Sequence, residues 1–513
     1  MTGPRIDELL SPSEIERIRA KGLTEETFLR QVELCRRGVA PVVLDRPAVI
    51  GDGISRIDAG EQPRLVAIHD AAARAGRCLK FVPASGAATR MFREWHGILG
   101  RGGFEHGEQL AAFAAKLPRF AFYDDLRGVL PGGGSDLTER AAEDKGRQIL
   151  DCILNPAGLR YASLPKALLK FHRYADGSRT ALEEHLVEAA LYARDGQGLC
   201  RIHFTVSAEH LNAVRETLDQ VKGRYEERFG ARFEAGLSVQ DESTDTIAVD
   251  LDGRPFRDRR GELLFRPGGH GALLFNLNRL DGDLVFIKNI DNVVPDRLKG
   301  PTVLYKKILG GYLIRLQDEL FGHLRALSAP GEGDGAVARA ARFAVERLNC
   351  SLPAGFGTGS PEERRRMLLE RLDRPLRVCG MVKNEGEPGG GPFWVAGPAG
   401  GPSPQIVEQA QVDRQSAGQA AIWASATHFN PVDLVCGIRD FRGRPFDLER
   451  FVDERQAFLS VKSHDGHDIK ALERPGLWNG AMAFWHTVFV EVPIETFNPV
   501  KTVEDLLRPG HQA

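Results

Sequence analysis

The residues with the clearest chemical potential lie between Phe265 and Asp296, in the run FRPGGHGALLFNLNRLDGDLVFIKNIDNVVPD. Pro267, Gly268, Gly269, His270 and Gly271 form a segment where backbone can come close to a ligand, because glycine has no Cβ and accepts positive φ. Asn289, Asp291 and Asn292 close the block. At the carboxyl end of a strand in an open α/β sheet, a carboxylate such as Asp291 can hold a divalent metal or the counter-ion of a polyphosphate. A strand-to-turn junction capped by Asx residues is the competing reading. A second stretch, Pro83 to Phe92, sets small residues, Ser85, Gly86 and Ala87, ahead of Thr89 and Arg90. Free backbone N–H groups and a helix start in such a turn attract anions, and Arg90 adds a planar cationic fork. The pattern is neither G-x-G-x-x-G nor a P-loop, so it supports neither a dinucleotide enzyme nor an NTPase specifically.

The elements that would hold these residues follow from periodicity. Leu273, Leu274, Leu277 and Leu280 share one helical face, Asp281-Gly282-Asp283 stops that helix, and Leu284 to Ile287 is a short apolar run suited to a strand buried on both sides. Cys78 to Val82 is a comparable strand leading into the small-residue turn, with a helix expected from about Thr89. Thr180 to Ala193 and Leu211 to Phe229 are amphipathic helices around a strand at Cys200 to Val206, and Phe233 to Gln240 is a strand that puts Gln240 at its end. These alternations predict an α/β protein.

Composition excludes several classes. A chain of 513 residues, 42% hydrophobic and 27% charged, suits a globular protein of several structural units. A formal net charge of −2 supplies no basic field for nucleic acid or an anionic membrane. The seven cysteines stand singly with no C-x-x-C pair, which argues against a zinc ribbon, a redox motif or a disulfide framework and for reduced core residues in a cytoplasmic protein. Neither a signal peptide nor a run of about eighteen apolar residues is found, so no membrane partner is expected.

Along the chain, residues 1–75 read as a helical region, with a capping box at Ser11 to Glu14 and a second helix from Thr24 that Gly38 can end. Residues 76–304 form the α/β core, interrupted at about 97–160 by an insertion with a Gly132-Gly133-Gly134 break. Residues 305–373 are a helical insertion, and 374–513 complete the core. Arg377 to Lys383, Pro404 to Val412 and Phe484 to Val492 read as strands, Glu387 to Pro392 as a proline- and glycine-rich loop, and His428 to Pro431 as a loop before Leu434.

In this order the pieces resemble the UDP-glucose pyrophosphorylase family and its relatives that make UDP-sugars. The Pro-Gly-Gly-His-Gly segment at 267–271 followed by Phe-Ile-Lys-Asn-Ile-Asp-Asn at 286–292 is similar to the family's glycine-histidine-glycine loop and Asn-Ile-Asp-Asn strand end. Pro404 to Val412 is similar to its glutamate-bearing strand, Phe429-Asn430 to the Phe-Asn segment that follows, and Phe497 to Leu507 to its Phe-x-Pro-Val-Lys segment. The stretch Phe81 to Phe92 and the 267–296 block also resemble a bacterial domain-of-unknown-function family along most of the chain. The phosphate loop departs from the pyrophosphorylase pattern: Ala84 to Arg90 stands where that family has two glycines before Leu-Gly-Thr, and the nearest Pro-Lys, Pro165-Lys166, lies beyond the 97–160 insertion. Loop-closure cost grows slowly enough with length to allow this.

The resemblance implies a Rossmann-like nucleotidyltransferase fold of the GT-A type, a mixed sheet flanked by helices. It implies transfer of a nucleotidyl group from a nucleoside triphosphate, UTP by preference, to a sugar 1-phosphate with release of pyrophosphate. In that scheme Ser85, Gly86, Ala87 and Arg90 hold the departing phosphates, Lys166 and Lys501 neutralise the α-phosphate and the incoming sugar phosphate, and Asp291 coordinates Mg²⁺. Gln240, Gly269, His270 and Gly271 read base and ribose, while Glu408 and Asn430 bond sugar hydroxyls. Two alternatives stay open: a transferase of the same fold acting on a non-sugar phosphate, and a non-catalytic nucleotide-binding protein on a decayed transferase scaffold. Oligomeric state is not legible.

Overall fold

In the computed structural model, residues 5–86, 88–130, 143–329, 333–386, 389–397 and 401–512 are described, residues 143–145 by backbone alone. The protein is a mixed α/β structure, as its alternating periodicities predict. The chain divides into two compact units, each discontinuous in sequence. The first comprises Met1–His69, Val239–Phe286 and Ile308–Val492; the second comprises Asp70–Ser238, Ile287–Lys307 and Pro493–Ala513.

The first unit is built on a mixed sheet. Its strand Leu376–Lys383 pairs antiparallel with His428–Gly437 and parallel with His486–Glu491, which in turn pairs parallel with Gly53–Ser55. Leu376 to Val382 are buried throughout, which is why this stretch reads as an apolar run rather than an alternating one. Two glycines let a helix lie close to this sheet. A Cβ at Gly380 would stand 3.3 Å from Leu309 and one at Gly437 only 2.6 Å from the Gln317 side chain, both on the helix Lys299–Ser328. A second sheet places Gly390–Ala396 between Leu44–Pro47 and Pro402–Glu408. A third joins Phe265–Arg266, Thr246–Val249 and the hairpin Phe458–His464 with His467–Glu473. The helices Pro12–Ala20 and Glu25–Arg37 close its apolar face, packing Ile18, Phe28, Val32 and Cys35 on Ile247, Val249 and Leu472. Ser11 and Thr24 cap them, and Gly38 ends the second with φ 79°.

In the second unit Cys78–Pro83 runs parallel to Leu199–Val206. Beside them the helix Ala181–Tyr192 is buried at every position but Leu191, although it carries Glu183, Glu184, His185 and Glu188. Thr180 opens it with a capping box, its hydroxyl accepting from the Glu183 N–H.

Several sequence expectations change in the fold. The helix expected from Thr89 is a single tight turn, Ala88–Arg90, and the helix proper is Arg93–Gly100. Met91 and Phe92 cause the delay: both are buried, Phe92 against Trp95 and Tyr161, and turning them inward interrupts the helical path. His428 to Pro431 begins the strand His428–Gly437 rather than forming a loop. Pro431 falls at a register shift, and Val432 adopts φ 57°, so the bulge accommodates the missing N–H. The glycines of the 387–392 loop open the strand Gly390–Ala396, where Gly390 and Gly391 meet backbone carbonyls at 3.0 and 3.2 Å from an ideal Cβ. The region before residue 75 adds the short strands Leu44–Pro47, Val49–Ile50 and Gly53–Ser55 to its helices. None of the seven cysteines is in a disulfide, and all but Cys152 are buried.

Candidate functional site

The second unit brings together residues that are far apart in sequence. Asp291 follows the buried strand Leu284–Lys288, and its Oδ2 accepts from Lys166 Nζ at 2.8 Å and from Lys501 Nζ at 3.1 Å. Lys166 also donates to the Val500 carbonyl at 2.7 Å. The three side chains differ in exposure: Asp291 keeps 9% and Lys166 12%, whereas Lys501 keeps 61% and faces water. Burial disfavours the Asp291 carboxylate, but Lys501 and Lys166 outweigh it and hold its pKa below the ordinary carboxylate value. Among the described residues, none donates to Asp291 Oδ1.

Backbone contacts hold this convergence. The Val500 N–H donates to the Asp291 carbonyl at 3.0 Å, and Asn292 forms a bridge with Pro499. Asn292 Oδ1 accepts from the Asn498 N–H at 2.9 Å. Asp505 Oδ2 accepts from the N–H groups of Lys501 and Thr502 at 2.8 and 2.7 Å, which fixes the turn bearing Lys501. The small-residue turn is tied in on its other side. Ile290 N–H donates to Pro83 O, Lys166 N–H to Gly86 O and Val503 N–H to Met91 O. Ser85 and Gly86 are exposed there, and a Cβ at Gly86 would meet nothing within 4 Å. Arg90 is exposed at the end of the turn, and Ala87 lies outside the described residues.

Below Asp291 lies a buried charge network that local sequence patterns do not reveal. Glu188 takes Lys80 Nζ on one oxygen and Lys288 Nζ on the other, each at 2.8 Å, with all three side chains at 1% exposure or less. Desolvation opposes the Glu188 charge, and the two lysines reverse the balance and hold its pKa well down. His185 on the same helix bonds the Ile290 carbonyl through Nε2 at 3.2 Å. Burial keeps that imidazole neutral, with its pKa pushed well down, so Nε2 is the donor to the carbonyl. The residue preceding Asp291 is thereby held from beneath. Glutamates on a helix otherwise read as a solvated face; alternation of Lys80 and Lys288 within apolar strands was the available signal.

The first unit holds a second group. Gly269 has φ 72°, and a Cβ on Gly271 would come within 2.1 Å of the Pro475 carbonyl oxygen, so the turn around His270 requires its glycines. His270 Nδ1 accepts from the Leu477 N–H at 3.1 Å, which leaves the ring proton on Nε2. The ring stacks on Trp478 at 4.3 Å between centroids. Packing lowers its pKa to about 4 by desolvation. Glu408 Oε1 accepts from Trp478 Nε1 at 3.3 Å and stands 3.8 Å from His270 Nε2. Burial raises the Glu408 pKa. His270, Trp478 and Glu408 thus form one polar aromatic group, in which Trp478 is the member that sequence reasoning missed; the run Pro475-Gly476-Leu477-Trp478-Asn479-Gly480 was its signal.

Gln240 lies just beyond the strand Arg232–Val239 and donates from Nε2 to Asp245 at 3.4 Å. Asp245 follows Thr244, whose carbonyl packs against Gly268. Asn430 is 4% exposed and turns its Oδ1 to its own backbone, accepting from the Val432 N–H at 3.1 Å. No described contact joins Asn430 to Glu408 or His270.

Among the described residues no group of three or more His, Cys, Asp or Glu side chains could hold a metal ion. A Mg²⁺ site here fits only the type that takes one carboxylate and completes its shell with substrate phosphates and water. Asp291 suits that type through Oδ1. Nor, among the described residues, is any helix long and apolar enough to cross a membrane.

A family model described as a domain of unknown function, DUF4301, matches residues 11–512. The chain belongs to the DUF4301 family. No curated protein matches this DUF4301 chain significantly. Solved structures similar to it include a uridine diphosphate N-acetylglucosamine pyrophosphorylase from Trypanosoma brucei, at 14% identity and TM-score 0.49, over 97% of this chain and 79% of that one. A UDP-glucose phosphorylase from Trypanosoma brucei aligns at 14% identity and TM-score 0.43, over 96% and 77%. A variant of the UDP-glucose pyrophosphorylase from Leishmania major aligns at 13% identity and TM-score 0.45, over 97% and 79%.

Proposed function

We propose that this DUF4301 protein is a nucleotidyltransferase that joins a nucleoside triphosphate, UTP by preference, to a sugar 1-phosphate and releases pyrophosphate. The observation that carries the reading is the pairing of Lys166 and Lys501 on one oxygen of Asp291, beside the exposed Ser85-Gly86 turn. In the reaction an oxygen of the acceptor phosphate attacks the α-phosphorus, the new P–O bond forms in line, and the bond to the leaving pyrophosphate breaks. Such a transfer needs alignment and charge neutralisation more than covalent help. Lys501, the exposed ammonium, would meet the incoming phosphate, and Lys166, held by Asp291 and Val500, would face the α-phosphate. The open backbone at Ser85 and Gly86, with Arg90, would hold the departing phosphates. Asp291 would hold a Mg²⁺ ion, which would supply neutralisation of phosphate charge.

Taken by itself, the first unit's group of His270, Trp478 and Glu408 is of a kind suited to stacking on a planar base and accepting from hydroxyls. Asn430 bonds its own backbone, and this favours a second reading in which the acceptor is a phosphate other than a sugar 1-phosphate. One experiment tests both: pyrophosphate release across a matrix of nucleoside triphosphates and phosphorylated acceptors, with Mg²⁺. Release with UTP and a sugar 1-phosphate supports the first reading; release only with other acceptors supports the second. Tight nucleotide binding with no release on any acceptor defeats both.

A further inference from the structure

A cavity of about 1080 Å³ lies within the first unit, apart from the His270 group. Arg374 and Trp485 line it, and each stands just before a strand of the parallel pair Leu376–Lys383 and His486–Glu491. The cavity therefore sits at the amino ends of these strands, whereas α/β proteins place their catalytic crevices at carboxyl ends. Its volume matches a small-molecule site of nucleotide size rather than one for a lone inorganic ion.

Six arginines and five carboxylates line its walls, so arginine is in slight excess. Asp440 is engaged by Arg444 at 2.7 Å and Asp453 by Arg455 at 2.8 Å. Arg371, Arg374, Arg442 and Arg450 also line the cavity, and no ion pair within 4.0 Å is described for any of the four, although Asp373 in the same wall feels the charge of Arg442. Arg371 donates to Cys350 Sγ and Arg374 to the Phe484 carbonyl, both neutral acceptors. Burial lowers the Arg374 pKa, and the nearby Arg371 charge lowers it further. The Arg442 guanidinium rests on the Phe441 ring at 4.1 Å. Apolar wall is present too, from Phe446, Phe451 and Trp485. Two polar atoms of lining residues, Trp485 Nε1 and Asp373 Oδ1, are buried without a hydrogen-bond partner.

We propose that this cavity is a second binding site, for a nucleoside diphosphate, with the arginines on its phosphates and the aromatic wall against its base. Arginine forks suit phosphate oxygens, and aromatic faces suit any base. The site stands independently of the transferase reading, since no residue of the Asp291 or His270 groups lines it.

The test uses the full chain carrying Lys166→Ala and Lys501→Ala, which weakens the phosphate site of the transferase reading. Calorimetric titration with UDP, ADP, GDP and CDP is expected to show binding of at least one. Adding Arg371→Glu, or separately Arg442→Glu on the exposed loop, is expected to weaken that binding at least about tenfold, the scale of losing one charge-assisted contact. Arg325→Glu, an exposed arginine outside the cavity, should leave it unchanged. Absence of binding by all four nucleotides, or binding indifferent to both cavity variants, overturns the proposal. Inorganic phosphate that competes as strongly as the nucleotide would reject a nucleoside ligand.

Discussion

Lys166 Nζ lies 2.8 Å from Asp291 Oδ2, a contact between residues 125 positions apart in the chain. Lys501 reaches the same oxygen from 210 positions away. Two cations on one buried carboxylate oxygen leave a surplus of positive charge beside an open backbone turn, which is what the proposed reaction would need to receive phosphate.

Asp291→Ala and Lys501→Ala are each expected to lower turnover by at least about a hundredfold, the scale of removing one oriented charge stabiliser. Lys501 is largely exposed, so its variant should keep the parent's thermal midpoint while losing rate. Steady-state pyrophosphate release together with a melting curve checks this; near-parental rates in both variants remove these residues from the mechanism.

The Asp291 carboxyl is held below its ordinary value, so its ionised form favours the folded state. The folded protein binds fewer protons than the unfolded chain near and below pH 3.8, hence this contribution is present above that value and is lost as pH falls through the depressed folded pKa. Denaturant unfolding of Asp291→Asn between pH 2.5 and 5 should show a shallower pH slope than the parent. Equal slopes would mean that the two lysines do not stabilise the charge.

His270 behaves with the opposite charge and the same sign of slope. Its pKa falls from 6.5 to about 4, so between those values the unfolded chain binds the extra proton and stability rises with pH. Protonation of Nδ1 would also break the bond from the Leu477 N–H. His270→Asn should remove this part of the slope between pH 4 and 6.5, read from unfolding midpoints.

Glu188→Gln leaves Lys80 and Lys288 buried without their counter-charge. A loss of roughly 3–5 kcal/mol of folding stability is expected, the range for breaking one side of a buried pair. Chemical denaturation measures it. A loss near zero would show that water reaches the two ammonium groups.

Gly271→Ala places a methyl within 2.1 Å of the Pro475 carbonyl oxygen, a backbone atom that cannot swing aside. Destabilisation of about 1–3 kcal/mol is expected from the strain, with displacement of His270 from Trp478. Tryptophan fluorescence of Trp478, compared with a Trp478→Phe control, reports the displacement; an unchanged spectrum and melting point would refute it.

Much of the local structure is legible from residue types. Ser11 and Thr24 cap helices where their side chains predict it, and the apolar run before Asp291 is a strand buried at every position. Capping and burial on both faces depend on a few neighbouring residues, so periodicity exposes them. The strand Gly390–Ala396 was hidden because glycine and proline mark turns by default, and only the pairing with strands on both sides overrides that preference. The bulge at Asn430 to Val432 was hidden for a related reason: the Asn amide oxygen that looks available for a ligand accepts from its own backbone.

Residue types and their neighbours pointed to Asp291 and His270, whereas Lys166, Lys501 and Glu408 were singled out by the resemblance of their segments to the pyrophosphorylase pattern, since a lone lysine or glutamate reads as a solvated side chain. Their grouping is a property of the fold. Lys166 and Lys501 meet Asp291 because Ile290 is bonded to Pro83, Val500 to Asp291 and Asn292 to Asn498, contacts between distant segments that no local pattern encodes. The buried helix Ala181–Tyr192 makes the same point from the other side: its glutamates read as a solvated face until Lys80, Lys288 and Lys299 arrive from other elements to neutralise them.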